Sequence, residues 1–292
     1  MGLDGLANPY TITALDGVAY GLLLFTIAAG LTLIIGVAGV LSMAHGTLYL
    51  AGAYLAWYLA DGGWAGLALA LAAAVVVGAF GGAGLAAAVR PLTDRPLDQV
   101  LATLGVAYIA ADQFSTVFGA EPRSVDPPGA LAGSVSLGDY QYPVYRLGFI
   151  AVGMLLVVGL FWFVQRSRAG AVVRAVVADP GMAAAIGLRT GLVRTGVLVG
   201  GGVLAVTAGV LGAPVIGPSP GVDTTILVYS LIVCVVGGLG SIRGTLLAAL
   251  GVGQTLTLGV AVVPGAAAFL LAAAMLAALT IRQRTALPGR PA

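Results

Sequence analysis

The sequence predicts an all-α fold, a polytopic transmembrane helical bundle of eight or nine spans, and three observations carry that expectation. Hydrophobic residues make up 60% of the chain and charged residues 8%, with a mean hydropathy of +1.06, whereas about a quarter of the residues in a soluble globular domain are charged. Apolar stretches near 20 residues long recur, each sufficient to cross a hydrocarbon core of about 30 Å as a helix. The alternation of apolar and polar residues that a transmembrane β-barrel requires is absent. The 45 glycines and abundant alanine suit helices whose backbones approach closely in lipid. Residues 1–292 read as a single transmembrane domain.

In chain order, Leu15 to Val37 is the first span and Leu41 to Ala60 the second, separated by a glycine-rich break in which Gly36, Gly39 and Gly46 flank His45, the single histidine. Spans three and four, Trp64 to Val89 and Leu97 to Phe118, are joined by the short polar segment RPLTDRPLD. A longer polar connection leads to span five, Val144 to Val164. The loop that follows, residues 165–191, begins a stretch to Arg194 holding five of the thirteen arginines: Arg166, Arg168, Arg174, Arg189 and Arg194. Within it Asp179-Pro180 reads as a helix start, because an Asp side chain accepts from free first-turn N–H groups and Pro at the first position lacks only an orphaned donor. Gly187 reads as the stop. Met182, Ala183, Ala184 and Ile186 would give this short helix an apolar face. Span six is Leu192 to Ala213, span seven Thr224 to Leu239 and span eight Leu246 to Val260, and Pro264-Gly265 introduces a ninth ending at Thr280. Eight spans result if one of the shorter segments is re-entrant.

Short loops rich in arginine stay in the cytoplasm. With the 165–191 loop inside, alternation also places Arg90, Arg95, Arg243, Arg282, Arg284 and Arg290 inside and only Arg123 and Arg146 outside. The N-terminus is then external and the C-terminus cytoplasmic. Asp4, Asp16, Asp61, Glu121, Asp126, Asp139 and Asp223 all fall on the outer side. No positive segment precedes the first apolar run, so no cleavable signal peptide is expected. The net charge of +2 and the lack of a basic patch with interleaved aromatics argue against nucleic acid. Laying His45-Gly46-Thr47 on Arg243-Gly244-Thr245 reveals a weak internal repeat of span, glycine-rich break and span. Chance matches among Gly, Leu and Val are frequent, so a true repeat and coincidence both stay open.

No catalytic constellation, metal-ligand cluster or cofactor fingerprint is found, and one histidine far from the one cysteine cannot build a zinc site. Cys234 reads as a small buried hydrophobe. Asp112, beside Gln113, lies several residues from either end of span four, where a charge costs about 2.5–3.5 kcal/mol unless it meets a cavity or partner. It either lines a pathway or serves, protonated or hydrogen-bonded, as interhelical glue. His45 either titrates and gates or bonds a carbonyl freed by the break. Tyr54, Trp57, Tyr58 and Trp64 read as interfacial belt residues, and Tyr49 sits deeper, where its hydroxyl needs a partner.

The stretches Gly30 to Tyr54, Arg90 to Gly105 with Phe118 to Val125, Arg174 to Leu188 and Val235 to Gly253 together resemble the LivH-type permease subunits of branched-chain amino acid ABC importers, over nearly the whole chain. Ser42-Met43 replaces the family's common Asn-Phe, and Thr47 stands where an acidic residue is usual, which leaves permeases for urea and short amides as an alternative. The resemblance implies a non-enzymatic permease in the bacterial inner membrane without cofactors of its own. It also implies a second, LivM-like permease, two cytoplasmic ATPase subunits, an external solute-binding protein and surrounding lipid. It makes 165–191 a cytoplasmic coupling loop in which Arg174, Asp179, Pro180, Met182, Ile186 and Gly187 meet the ATPase, and it makes Ser42, His45, Thr47, Asp112 and Gln113 candidates for the pathway. A self-sufficient channel or secondary transporter using Asp112 or His45 as a proton relay is the rival class.

Overall fold

The structure is a computed structural model and describes residues 9–93, 95–137 and 140–262, together with 265, 269–270, 272–273, 275–276 and 280. Its elements are α1 (Pro9–Leu33), α2 (His45–Leu59), α3 (Trp64–Val89), α4 (Pro96–Phe118), β1 (Ser134–Leu137), β2 (Tyr140–Pro143), α5 (Val144–Arg166), α6 (Arg168–Ala178), α7 (Pro180–Ala185), α8 (Thr190–Gly212), α9 (Val222–Gly237) and α10 (Ile242–Val262). Six helices among the described residues are long and apolar enough to cross a membrane: α1, α3, α4, α5, α8 and α10. The expected second and seventh spans form helices shorter than these six, 15 residues in α2 and 16 in α9. The ninth span lies largely outside the described residues, as do Asp4, Asp139, Arg282, Arg284 and Arg290.

α1 is the hub. It is apolar along most of its length, as membrane spans generally are, and Leu22, Leu24, Ile27 and Leu31 are fully buried. Its largest contact is with α10, while α3 and α2 both pack on α8. Glycines set these distances. A Cβ on Gly253 would stand 2.4 Å from the Gly17 carbonyl oxygen, and one on Gly209 would stand 2.0 Å from that of Tyr49. The backbones therefore touch where a side chain would hold them apart.

The two ends of the bundle differ. At one, the break after α1, the α3–α4 turn, α6, α7 and the α9–α10 turn converge: a Cβ on Gly36 would lie 2.7 Å from Cα of Gly240, and one on Gly240 3.2 Å from Val177 of α6. At the other, Gly129 N–H donates to the Gly62 carbonyl at 2.8 Å and Arg123 N–H to that of Pro218 at 3.0 Å. The arginines of the 165–194 stretch share the first end with Arg90. The two expected outside, Arg123 and Arg146, lie at the second and are both pinned. Arg146 Nη1 donates to Asp16 Oδ1 at 2.5 Å, and the Arg123 guanidinium sits 5.0 Å from the Trp57 ring centroid. The Tyr142 hydroxyl also donates to Asp16, at 2.9 Å, and burial, then the Asp16 carboxylate, hold its pKa well above the usual tyrosine range.

The belt assignment needs correcting. Tyr58 and Trp64 are exposed as a belt requires, but Tyr54 is only 2% exposed and stacks on Phe118 at 4.5 Å, with Trp57 edge-on to the same ring at 6.0 Å. The end of α4 docks on them, which turns surface aromatics into packing. The β1–β2 hairpin, paired from Ser134 with Pro143 to Leu137 with Tyr140, was not expected within the polar connection.

Candidate functional site

The break between α1 and α2 is built by its glycines. α1 ends in a π-helical turn, Ile34–Ala38, and Gly39 follows at φ 68°, a left-handed backbone that glycine adopts without a Cβ penalty. α2 starts only at His45, four residues later than the span edge at Leu41. A Cβ on Gly46 would lie 2.2 Å from the Asp223 carbonyl oxygen of α9, so the start of α2 is wedged against the start of that helix. Ser42 and His45 are fully buried and Thr47 nearly so. His45 Nε2 donates to the Ile27 carbonyl at 3.1 Å. That acceptor lies inside α1, not among carbonyls freed by the break. The bond fixes the tautomer and leaves Nδ1, like Ser42 Oγ, buried without a hydrogen-bond partner. Thr47 Oγ1 donates to the Ala44 carbonyl at 2.7 Å. The Tyr49 hydroxyl, expected to need a partner, is buried and has none.

Asp112 and Gln113 are not brought to this break. Both are exposed on α4, on one helical stripe with Leu101, Gly105, Tyr108 and Ile109, whose spacing is that of a single face. A Cβ on Gly105 would meet nothing within 4 Å. The buried residues of α4 are instead polar, Gln99 and Thr103. Gln99 Nε2 donates to the Leu92 carbonyl at 2.7 Å, and Thr103 Oγ1 accepts from Met43 N–H at 3.2 Å. Thr47 and Phe114 line an apolar cleft of about 470 Å³ between α2, α3 and α4. The break and α4 therefore meet directly through the Met43–Thr103 hydrogen bond and share this cleft through Thr47 and Phe114.

The third part is α7. Asp179 caps it, its Oδ1 accepting from Met182 N–H at 2.9 Å, and Pro180 opens the first turn. At the far end Gly187 N–H donates to the Ala184 carbonyl at 3.0 Å and Leu188 N–H to that of Ala183 at 3.1 Å, the paired bonds of a Schellman stop, with Gly187 at φ 89°. Ala183 is the inward residue, while Met182 and Ile186 are 62% and 69% exposed. Six residues are too few for a helix stable by itself, so the caps and Ala183 hold α7 while its two large apolar side chains point away. Arg174 belongs to α6, and its Nη1 donates to the Val164 carbonyl of α5.

Sequence reasoning missed two features. One is α6 itself, capped by Ser167 Oγ accepting from Gly170 N–H at 2.8 Å. The other is a polar knot between α1, α9 and α10. Thr32 Oγ1 donates to Cys234 Sγ at 3.0 Å and lies 3.1 Å from Thr245 Oγ1, and Cys234 Sγ donates to the Ala28 carbonyl at 3.4 Å. Cys234 is buried as expected, yet hydrogen-bonded. Hydroxyls and a thiol scattered through apolar runs give no warning that they will meet.

Interrupted helices at the centre of a polytopic bundle are a recurring feature of transporters. Residues 13–279 match the family described as branched-chain amino acid transport system / permease component, and the chain belongs to that family of non-enzymatic permease components. It is similar to the high-affinity branched-chain amino acid transport system permease protein BraD of Pseudomonas aeruginosa, 25% identical over 97% of this chain and 96% of that one. It is also similar to the LivH proteins of Escherichia coli K12 and Salmonella typhimurium, each 26% identical over 94% of both chains. No solved structure matches the chain significantly.

Proposed function

We propose that this chain is the translocation subunit of an ATP-driven importer in the bacterial inner membrane, carrying branched-chain or other hydrophobic amino acids inward. The observation that carries the reading is α7. A helix capped at both ends that exposes Met182 and Ile186 while burying Ala183 has no use for those side chains within its own fold, and a groove on a cytoplasmic ATPase suits them. Family membership and the names of the relatives support the solute class. An external binding protein delivers solute, and closure of two ATPase subunits switches a cavity between this chain and a second permease. Asp112, Gln113 and Gly105 on the uncovered stripe of α4 support that stripe as the face turned to the second permease, since a charge facing hydrocarbon costs about 2.5–3.5 kcal/mol.

Topology follows the same reading. The α7 end is cytoplasmic, with eight helices, α1–α5 and α8–α10, alternating across the membrane. The repeat relates α1 and α2 to α9 and α10: each pair is interrupted at this end by positive-φ glycines, Gly39 in one and Gly238 and Gly240 in the other. Both pairs run in the same direction, which makes the repeat parallel. The test is Met182→Asp with Ile186→Asp. The pair is expected to release the ATPase from purified membranes and abolish ATP-dependent leucine uptake, with the permease still folded. Unchanged co-purification and uptake would sink the reading, and uptake of urea but not leucine would reassign the solute.

A further inference from the structure

We infer that the α7 end of the bundle holds a binding site for a phosphate-bearing anion, most simply the headgroup of an anionic phospholipid. A cavity of about 520 Å³ opens between the end of α3, the α3–α4 turn and the start of α8, and three arginines are among the residues that line it: Arg90, Arg189 and Arg194. Among the described residues no carboxylate lines it and none of the three arginines has an ion-pair partner. Arg194 Nε is buried and makes no hydrogen bond. Three like charges around one cavity repel, and a buried guanidinium donor without an acceptor is costly. An anion offering several oxygens removes both penalties, because guanidinium forks match phosphate oxygens in pairs.

The lining also says which anion fits. Arg189 begins the α8 side, Arg194 comes about one turn further in, and Leu198 lies a turn beyond that, facing Ala86 and Val89 of α3 across the same cavity. Charge at the helix ends grading into apolar wall is the profile of a lipid at the membrane boundary, and basic pockets between membrane helices take anionic headgroups. The site requires nothing of the transport reading, since it would exist whatever solute the chain moves.

Native mass spectrometry of the full-length chain purified with its co-expressed partners tests this, with phosphatidylglycerol, phosphatidylcholine and inorganic phosphate as probes. Phosphatidylglycerol should be retained at least about tenfold more strongly than phosphatidylcholine. R90Q/R194Q should lose most of that preference. R166Q/R168Q, which removes the same charge from exposed positions at the same end, should keep it within about twofold. Competition by inorganic phosphate would make the bare anion sufficient, and its absence would make the attached chains necessary; either supports a phosphate site. Equal retention of the two lipids, or equal loss in both double variants, overturns it. Should R90Q/R194Q fail to purify, the unsubstituted chain decides: its melting temperature must rise with phosphatidylglycerol and not with phosphatidylcholine, and equal shifts refute the site.

Discussion

α1 and α4 are both apolar helices of spanning length, yet 78% of an apolar 18-residue stretch of the first is buried and 6% of such a stretch of the second. α4 is also the least apolar of the six long helices. In a water-soluble protein the less apolar helix would be exposed because water solvates it. In a bilayer, exposure means hydrocarbon, and a stripe carrying Asp112 and Gln113 is the one least suited to it. Burial within one chain therefore does not rank helices by hydropathy here. It separates helices whose partners lie inside the chain from one whose partner is proposed to lie outside it.

The sharpest way to break this contrast is to add the same bulk to both regions. Gly253→Val would force a side chain between α10 and α1, where even an added Cβ would stand 2.4 Å from the Gly17 carbonyl oxygen, and about 3 kcal/mol of overpacking is expected. The thermal melt and monodisperse yield of the purified chain should both fall. Gly105→Val has open space and should leave the melt of the chain alone within about 0.5 kcal/mol, while weakening retention of the second permease. A parent-like melt for Gly253→Val would mean that α1 is not the hub.

The next effect has a sign that depends on what faces α4. Replacing Asp112 with Leu on a lipid-facing stripe would remove a cost of about 2.5–3.5 kcal/mol and stabilise the protein. Against a second permease, the same change removes an interfacial polar contact, so the assembled complex should melt earlier and uptake should drop about tenfold or more. Differential scanning of the assembled complex reads the sign directly, and a stabilised, fully active variant would turn the stripe back to lipid.

Much of this contrast's framework was legible in the chain. The boundaries of α3 coincide with the expected Trp64 to Val89, and those of α5 and α8 differ by two residues or fewer, because glycine, proline and arginine punctuate long apolar runs. α7 was legible from Asp179-Pro180 and Gly187, since caps are local chemistry. α6 was not: Arg168 and Arg174 disguise a helix held by the Ser167 cap and by burial of Val176 against the break after α1. Alternation in Ser-Val-Ser-Leu and Tyr-Gln-Tyr was a readable hairpin signal overlooked in a polar connection. Which face of a span is covered was invisible, because in an apolar helix every face looks alike. Only Gln99 and Thr103, polar residues turned inward, mark the covered side of α4.

The smallest effect separates the two helices by their polar contacts. Thr32 on α1 bonds Cys234 and meets Thr245, whereas Thr116 is exposed on α4. Thr32→Val should cost about 1 kcal/mol, the usual size of an interhelical hydrogen bond in a membrane bundle. Thr245 keeps its bond to the Ser241 carbonyl at 2.8 Å and Cys234 keeps the Ala28 carbonyl at 3.4 Å, so neither is orphaned and the loss stays small. Cys234→Ala should cost a similar amount, and the double variant less than the two together, with a coupling of about 0.5 kcal/mol, because one bond is counted in both. Thr116→Val should leave the melt of the chain alone unchanged. Strict additivity of the Thr32 and Cys234 variants would mean that the hydroxyl and thiol do not bond, and that the polar link between α1 and α9 rests on the Cys234 bond to the Ala28 carbonyl.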